Sequence, residues 1–264
     1  VKRPRTGYAY LDEPRGVLAF AHRGGAFHPE IEGLENSLAA FRHAVDLGYR
    51  YLETDVHVTR DGVLMAFHDR VLDRVTDGTG EVARLSRDEI REARIGGREN
   101  VPTLGELFDT FPGVRFNIDI KAPGAVRPLA DFLAAREAWD RVLVGSFRPR
   151  SLEEFRSLTD GRVATGAHPR EAAAYAGLPS GRLAAALTRG GPVAVQVPYR
   201  RGRVAITTAG LVRRAHAAGL HVHVWTIDDP AEMHELLDLG VDGLMTDRTD
   251  ILRDVLVERG QWED

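Results

Sequence analysis

The chain has 264 residues, 43% hydrophobic and 28% charged, an ordinary makeup for a globular protein with enough apolar material for a sizeable core. Its 35 basic and 39 acidic residues nearly cancel, which excludes a global field pulling it onto nucleic acid or an anionic membrane, so any anionic ligand has to be held locally. No apolar run approaches the ~18 residues of a membrane span, no apolar leader follows Lys2, Arg3 and Arg5, and the absence of cysteine removes disulfides and thiolate chemistry. Together these point to the cytoplasm, with no nucleic-acid partner and no integral membrane segment, while no feature fixes an oligomeric state.

Residues 1–16 read as a flexible N-terminal arm, followed by one domain over 17–264. Short β-branched runs then alternate with longer amphipathic ones. The runs Val17–Ala21, Tyr51–Val56, Val114–Ile120, Arg141–Gly145, Arg162–Thr165, Val193–Val197, His221–Thr226 and Gly243–Thr246 read as strands. Helical patterns cover Ser37–Leu47, Val126–Ala138, Ser151–Thr159, Thr208–Ala218, Ala231–Leu239 and Thr249–Glu258, with start signals at Asn36, Thr207 and Pro230. The stretch from Glu171 to Gly191, rich in Ala and Gly, reads as a helix and loop under the sixth strand. Eight strand–helix pairs predict an α/β fold, a (β/α)8 TIM barrel of the usual ~250 residues. Val63–Phe67 follows the second strand too closely for a parallel crossover, and Asp61-Gly62 signals a turn. His57–His68 is therefore expected to fold back as a small antiparallel hairpin above the barrel mouth, bringing His68 towards the second strand.

Barrel enzymes place reactive groups at the C-terminal ends of their strands. The first strand ends in His22-Arg23-Gly24-Gly25: an imidazole for proton transfer, a guanidinium that can fork onto phosphate, and glycines that admit an anion close to backbone. Glu53 and Asp55 share one face of the second strand, and Asn117, Asp119 and Lys121 share one face of the third. Unpaired buried carboxylates are costly, so this grouping favours a hard cation between them, with a Lys121–Asp119 ion pair as the plainer reading. His68-Asp69 adds a second imidazole. Two histidines suit phosphodiester hydrolysis, which needs one group to activate a nucleophile and one to protonate the leaving alkoxide.

The runs HRG at His22–Gly24, ENS at Glu35–Ser37, ETD at Glu53–Asp55, DGVLMAFHD at Asp61–Asp69, LDRVTDGTGEV at Leu72–Val82, VPTLGELF at Val101–Phe108, NIDIK at Asn117–Lys121, VWTIDD at Val224–Asp229 and DGLMTDR at Asp242–Arg248 together resemble the glycerophosphodiester phosphodiesterases. The resemblance implies a barrel enzyme that hydrolyses glycerophosphodiesters to glycerol 3-phosphate and an alcohol. It implies His22 and His68 as acid/base catalysts and Glu53, Asp55 and Asp119 as ligands of one divalent cation, Mg²⁺ or Ca²⁺. Arg23 and Lys121 would hold phosphate, Trp225 would wall the glycerol pocket, Glu35 would bind metal or substrate, and Asn36 would cap the first helix. The chain departs from the family pattern where Asp119 replaces the usual glutamate, where Ser37 ends the ENT-like motif, and where the loop Gly25–Leu34 is longer and carries His28, Glu30 and Glu32. A phospholipase D-like relative acting on lysophospholipids or sphingolipids would need an apolar surface loop for an acyl chain, and the sequence has no aromatic-rich loop of that kind, so water-soluble diesters are the expected substrates. A non-catalytic phosphate-binding barrel is disfavoured because both histidines and all three acidic positions are retained. His216, His221, His223 and His234 are expected to serve packing or the helix surface.

Overall fold

The computed structural model describes residues 3–13 and 16–262. The eight expected strands form as β1 Leu18–His22, β2 Tyr51–Val58, β3 Arg115–Ile120, β4 Val142–Gly145, β5 Ala164–Thr165, β6 Ala194–Pro198, β7 His221–Trp225 and β8 Gly243–Thr246. They pair in the order β5-β4-β3-β2-β1-β8-β7-β6, parallel throughout. A parallel bridge from Gly166 to Ala194 joins β5 to β6, with Val193 N–H donating to Thr165 O at 2.9 Å and Ala167 N–H to Ala194 O at 2.7 Å. The ring of strands is thereby closed into a (β/α)8 barrel, and the loops after the strands all open at one end.

Side-chain alternation divides the core. Leu52 and Val56 of β2 pack outward among apolar side chains of the helical layer, Phe41, Leu129 and Leu252 among them. Glu53, Asp55 and His57 take the other face of the same strand. Helix boundaries follow their caps. Ser37, not Asn36, caps the helix Leu38–Asp46 by accepting Ala40 N–H at 3.1 Å. Thr208, not Thr207, caps Ala209–Ala217, while Thr207 Oγ1 donates to Pro198 O. Asp229 caps Pro230–Leu239, with Pro230 at its head. Residues 169–187 hold two helices, Pro169–Gly177 and Gly181–Leu187, where the sequence suggests one and a loop.

Two regions are more ordered than their sequence implies. Within the N-terminal arm, Ala9–Asp12 is a helical turn whose Tyr10 and Leu11 are buried with Leu18, Phe20 and Tyr51, so it plugs the barrel floor; Val1 and Lys2 lie outside the described residues. The hairpin after β2 exists, with Leu64–Ala66 antiparallel to β2. It belongs to a larger excursion, however, which includes the helix Arg87–Arg91, the pair Arg94–Ile95 and Glu99–Asn100, and a separate apolar cluster of Met65, Phe67, Leu72, Ile90, Ile95 and Val101. Among the described residues no helix is long and apolar enough to cross a membrane.

A polar layer lies inside the barrel. Gln196 Nε2 donates to Asn117 Oδ1 at 2.9 Å and to His223 Nδ1 at 3.1 Å, leaving the proton of His223 on a buried Nε2 that has no hydrogen-bond partner. Burial, with added repulsion from His221 and Arg3, holds the His223 pKa well below its ordinary value near 6.5. The unfolded chain therefore binds a proton below pH 6.5 that the folded chain refuses, so stability falls as pH drops through that window, by at most about 1.4 kcal/mol per pH unit for this residue. Urea unfolding of His223→Gln between pH 7.5 and 5 is expected to show a shallower loss than the parent; equal slopes would remove His223 as the source.

Candidate active site

Strand register assembles the site at the barrel mouth. His22 of β1 stands opposite Glu53 of β2, and Asp55 of β2 stands opposite Asp119 of β3. The His22 Nε2 is 3.8 Å from Glu53 Oε2, and its Nδ1–H donates to Asp247 Oδ1 at 2.8 Å. A carboxylate only accepts, so this bond keeps a proton on Nδ1 and makes Nε2 the nitrogen that gains or loses one. Burial works against a charged His22, but Glu53 and Asp247 outweigh it and push its pKa up to about 9.

Asp55 is 1% exposed and fully surrounded. Lys121 Nζ donates to Asp55 Oδ1 at 2.8 Å and to Asp119 Oδ2 at 2.7 Å. Asn36 Nδ2 donates to Asp55 Oδ2 at 3.2 Å, and Arg23 Nε is 3.4 Å from the same oxygen. Burial alone would raise the Asp55 pKa; Lys121 and Arg23 reverse this and lower it. Glu53 on the same strand goes the other way, to about 7, because burial and the Asp55 charge both oppose its ionisation. The Asp119 pKa is also raised by burial, and its Oδ1 is buried with no hydrogen-bond partner.

Arg23 and Asn36 adopt positive φ, 49° and 59°, a strained conformation that these two contacts with Asp55 help to hold. Asn36 N–H donates to Arg23 O at 2.9 Å, so the loop between them is pinched at its base. Gly24 and Gly25 are required there: a Cβ would lie 2.8 Å from Ala40 Cβ or 2.7 Å from Thr249 Cγ2. Arg23 Nη1 also donates to Glu35 Oε1 at 3.1 Å.

The second imidazole arrives on the hairpin. His57 Nε2–H donates to the His68 carbonyl at 3.1 Å, and His68 Nδ1–H donates to Asp69 Oδ1 at 2.6 Å. Arg74 grips Asp69 and Glu35 together, holding the Asp69 pKa at about 2 and lowering that of Glu35. Trp225, at the end of β7, meets Phe147 edge-on at 5.8 Å, and Lys121 Nζ lies 5.9 Å from the Phe147 ring centre.

The structure thus gathers His22, Arg23, Glu53, Asp55, Asp119 and Lys121 at the strand ends, brings His68 in on the hairpin, and sets Trp225 beside Phe147 over Lys121. Among the described residues, no three His, Asp or Glu side chains are close enough to hold an ion, since Lys121 stands between Asp55 and Asp119. Asn36 does not cap a helix but ties Arg23 to Asp55, with Thr54 Oγ1 donating to its Oδ1 at 2.8 Å. Sequence reasoning missed the partnership of Asp247 with His22. The signal was present: Ala21 is in register with Thr246, so barrel closure places the next residues side by side. It also missed Arg74 and Phe147, which come from loops without periodicity.

The comparisons agree with this architecture. Residues 22–251 match the model of the glycerophosphoryl diester phosphodiesterase family. The chain belongs to this family. A Mycobacterium tuberculosis relative named "Probable glycerophosphodiester phosphodiesterase 2" is 43% identical over 94% of both chains. A lysophospholipase D from Homo sapiens is 28% identical, over 89% of this chain and 85% of the relative. The crystal structure of a glycerophosphodiester phosphodiesterase from Agrobacterium tumefaciens superposes with a TM-score of 0.74 at 26% identity, covering 90% of this chain and 99% of the other. The activity of this chain is that of a glycerophosphodiester phosphodiesterase, acting on a small-molecule phosphodiester.

Removing one partner from a buried ion pair leaves the other charge uncompensated. Lys121→Met is expected to lower unfolding free energy by about 3 kcal/mol, with part recovered in Lys121→Met/Asp55→Asn. Urea denaturation checks this, and an unchanged midpoint in the single variant would show that Asp55 does not depend on the ammonium.

Proposed function

We propose that this chain hydrolyses glycerophosphodiesters with His22 and His68 as its acid–base pair. The observation that carries the reading is that each imidazole donates Nδ1–H to its own carboxylate, Asp247 or Asp69, leaving Nε2 as the atom that can exchange a proton with substrate. One imidazole takes the proton of the attacking hydroxyl, from water or from the glycerol 2-position, and the other gives a proton to the departing alkoxide. Attack by water gives glycerol 3-phosphate and the alcohol directly, whereas attack by the glycerol 2-hydroxyl releases the alcohol and leaves a cyclic glycerol phosphate, which a water then opens with the two imidazoles exchanging roles. Arg23 and Lys121 place positive charge where negative charge builds on phosphate oxygens in the transition state. Trp225 and Phe147 wall the organic part of the substrate.

Glu53, Asp55 and Asp119 are proposed to hold one divalent cation, Mg²⁺ or Ca²⁺. The donors are all hard oxygens, Asp119 Oδ1 is buried without a partner, and the Glu53 pKa is pushed up to about 7 by burial and the Asp55 charge; an ion held by these three would take the place of Lys121 Nζ between Asp55 and Asp119. A bound hard cation supplies Lewis-acid polarisation of a phosphoryl oxygen.

A second reading, hydrolysis of lysophospholipids, is favoured by one feature: Phe147, in the loop after β4, is 59% exposed beside Trp225 at the end of β7, an apolar wall at the mouth.

Release of the alcohol head group from a panel of glycerophosphodiesters, with a lysophospholipid included, is expected to need Mg²⁺ or Ca²⁺, to stop with EDTA, and to fall at least ~10²-fold in His22→Ala and in His68→Ala. Folded parent protein that releases nothing from any diester with either cation would sink the proposal. Asp247→Asn keeps the shape at His22 but no longer selects the tautomer. It is expected to lower kcat by about 10²–10⁴-fold while KM and the melting temperature change little; unchanged kcat would mean that Asp247 does not orient the catalyst.

A further inference from the structure

The net charge of −4 conceals a local reversal at one sector of the mouth. After β6 the chain turns through an antiparallel hairpin in which Arg200 pairs with Ala205 and Arg201 with Val204, around Gly202 at φ 60°. Residues 200–205 are all exposed, and Val204 at the turn is 63% exposed. Arg200 leans on Tyr199 and Glu235, whereas Arg201 and Arg203 form no ion pair among the described residues. The hairpin leaves β6 at Pro198, which is in register with Trp225, and Trp225 touches Phe147. Phe147 is followed by exposed Arg148, likewise without an ion pair among the described residues. The carboxylates of the neighbouring loop do not offset this charge outward: Asp228 accepts backbone N–H groups of Asp247 and Arg248, and Asp229 caps the next helix.

We infer that this rim, from Phe147 to the 200–205 hairpin, docks the barrel mouth on an anionic phospholipid surface. Guanidinium groups pair with headgroup phosphates, and the apolar tips Val204 and Phe147 enter the boundary between headgroups and acyl chains. The alternation of free arginines with an exposed aliphatic tip is the complement of such a surface. A nucleic-acid strand, by contrast, would call for polar or stacking groups at Val204. Docking turns the site to face lipid-derived diesters as they leave the bilayer. The inference goes beyond the hydrolytic reading and does not depend on turnover.

The test is flotation of the intact protein with vesicles of equimolar phosphatidylcholine and phosphatidylglycerol, and with phosphatidylcholine alone. The parent is expected to float with the anionic vesicles only, less so as salt rises. Arg201→Gln/Arg203→Gln is expected to lower partitioning about 25-fold, each basic side chain near an anionic surface being worth about five-fold, and adding Val204→Ser lowers it further. Hydrolysis of a water-soluble diester by these variants should equal that of the parent. A parent that stays in the soluble fraction, one that binds both vesicle types alike, or variants that bind as the parent does would each overturn the inference. Retention of single-stranded RNA without vesicle binding would overturn it as well and assign the arginines to nucleic acid. Vesicle binding without hydrolysis of any diester would leave docking intact and count against the proposed catalysis.

Discussion

Asp55 is the charge around which the mouth is arranged. It is almost fully buried, and an isolated carboxylate there would be protonated or would not be tolerated. Lys121, Asn36 and Arg23 converge on it from three segments of the chain. Each is fixed in place by that contact: Lys121 bridges β2 to β3 through Asp119, and Asn36 and Arg23 are held at positive φ. A single buried anion thereby sets the position of a cation, a guanidinium and the two ends of the first loop.

The two carboxylates of β2 show how burial can give opposite results two residues apart. Asp55 has cations on both oxygens and its pKa is lowered. Glu53 has a backbone N–H from Arg23, an imidazole at 3.8 Å and the Asp55 charge nearby, and its pKa is raised to about 7. The strand therefore carries one carboxylate whose charge is balanced by protein cations and one still in demand of positive charge. That imbalance, more than the count of acidic residues, is what makes a cation site chemically reasonable beside His22.

The strands were legible because β-branched runs separated by helical patterns admit few arrangements, and alternation put Glu53 with Asp55 and Asn117 with Asp119 and Lys121 on shared faces. The hairpin was legible from the Asp61-Gly62 turn. Three things were not. The N-terminal plug is a single turn with no periodicity to detect, and its order comes from Tyr10 packing against Tyr51 rather than from helix propensity. Asn36 looks like a cap because caps and strained turns use the same residue types, and only the buried partners Asp55 and Thr54 decide between them. The apolar wall was not legible because its two rings lie far apart in sequence, Phe147 in the loop after β4 and Trp225 at the end of β7, and only barrel closure brings them together.

The longer loop Gly25–Leu34 illustrates how the barrel separates chemistry from its surroundings. Its two ends are joined by the hydrogen bond from Asn36 to Arg23, and both of these residues are anchored on Asp55. Lengthening a loop whose ends are already fixed costs little, about 0.6 kcal/mol per doubling, because the closure entropy grows only logarithmically. The added residues can then make their own arrangement, with His28 against His43 at 4.1 Å and Glu30 reaching His43 at 3.4 Å, without moving His22. Residues at the base of the loop are constrained by the buried charge, whereas Ala26, His28 and Ile31 are buried by contacts of the loop's own and Phe27, Glu30 and Glu32 are left exposed. The loop is thereby free to take its own arrangement while His22, Arg23 and Asp55 stay tied to the strand ends.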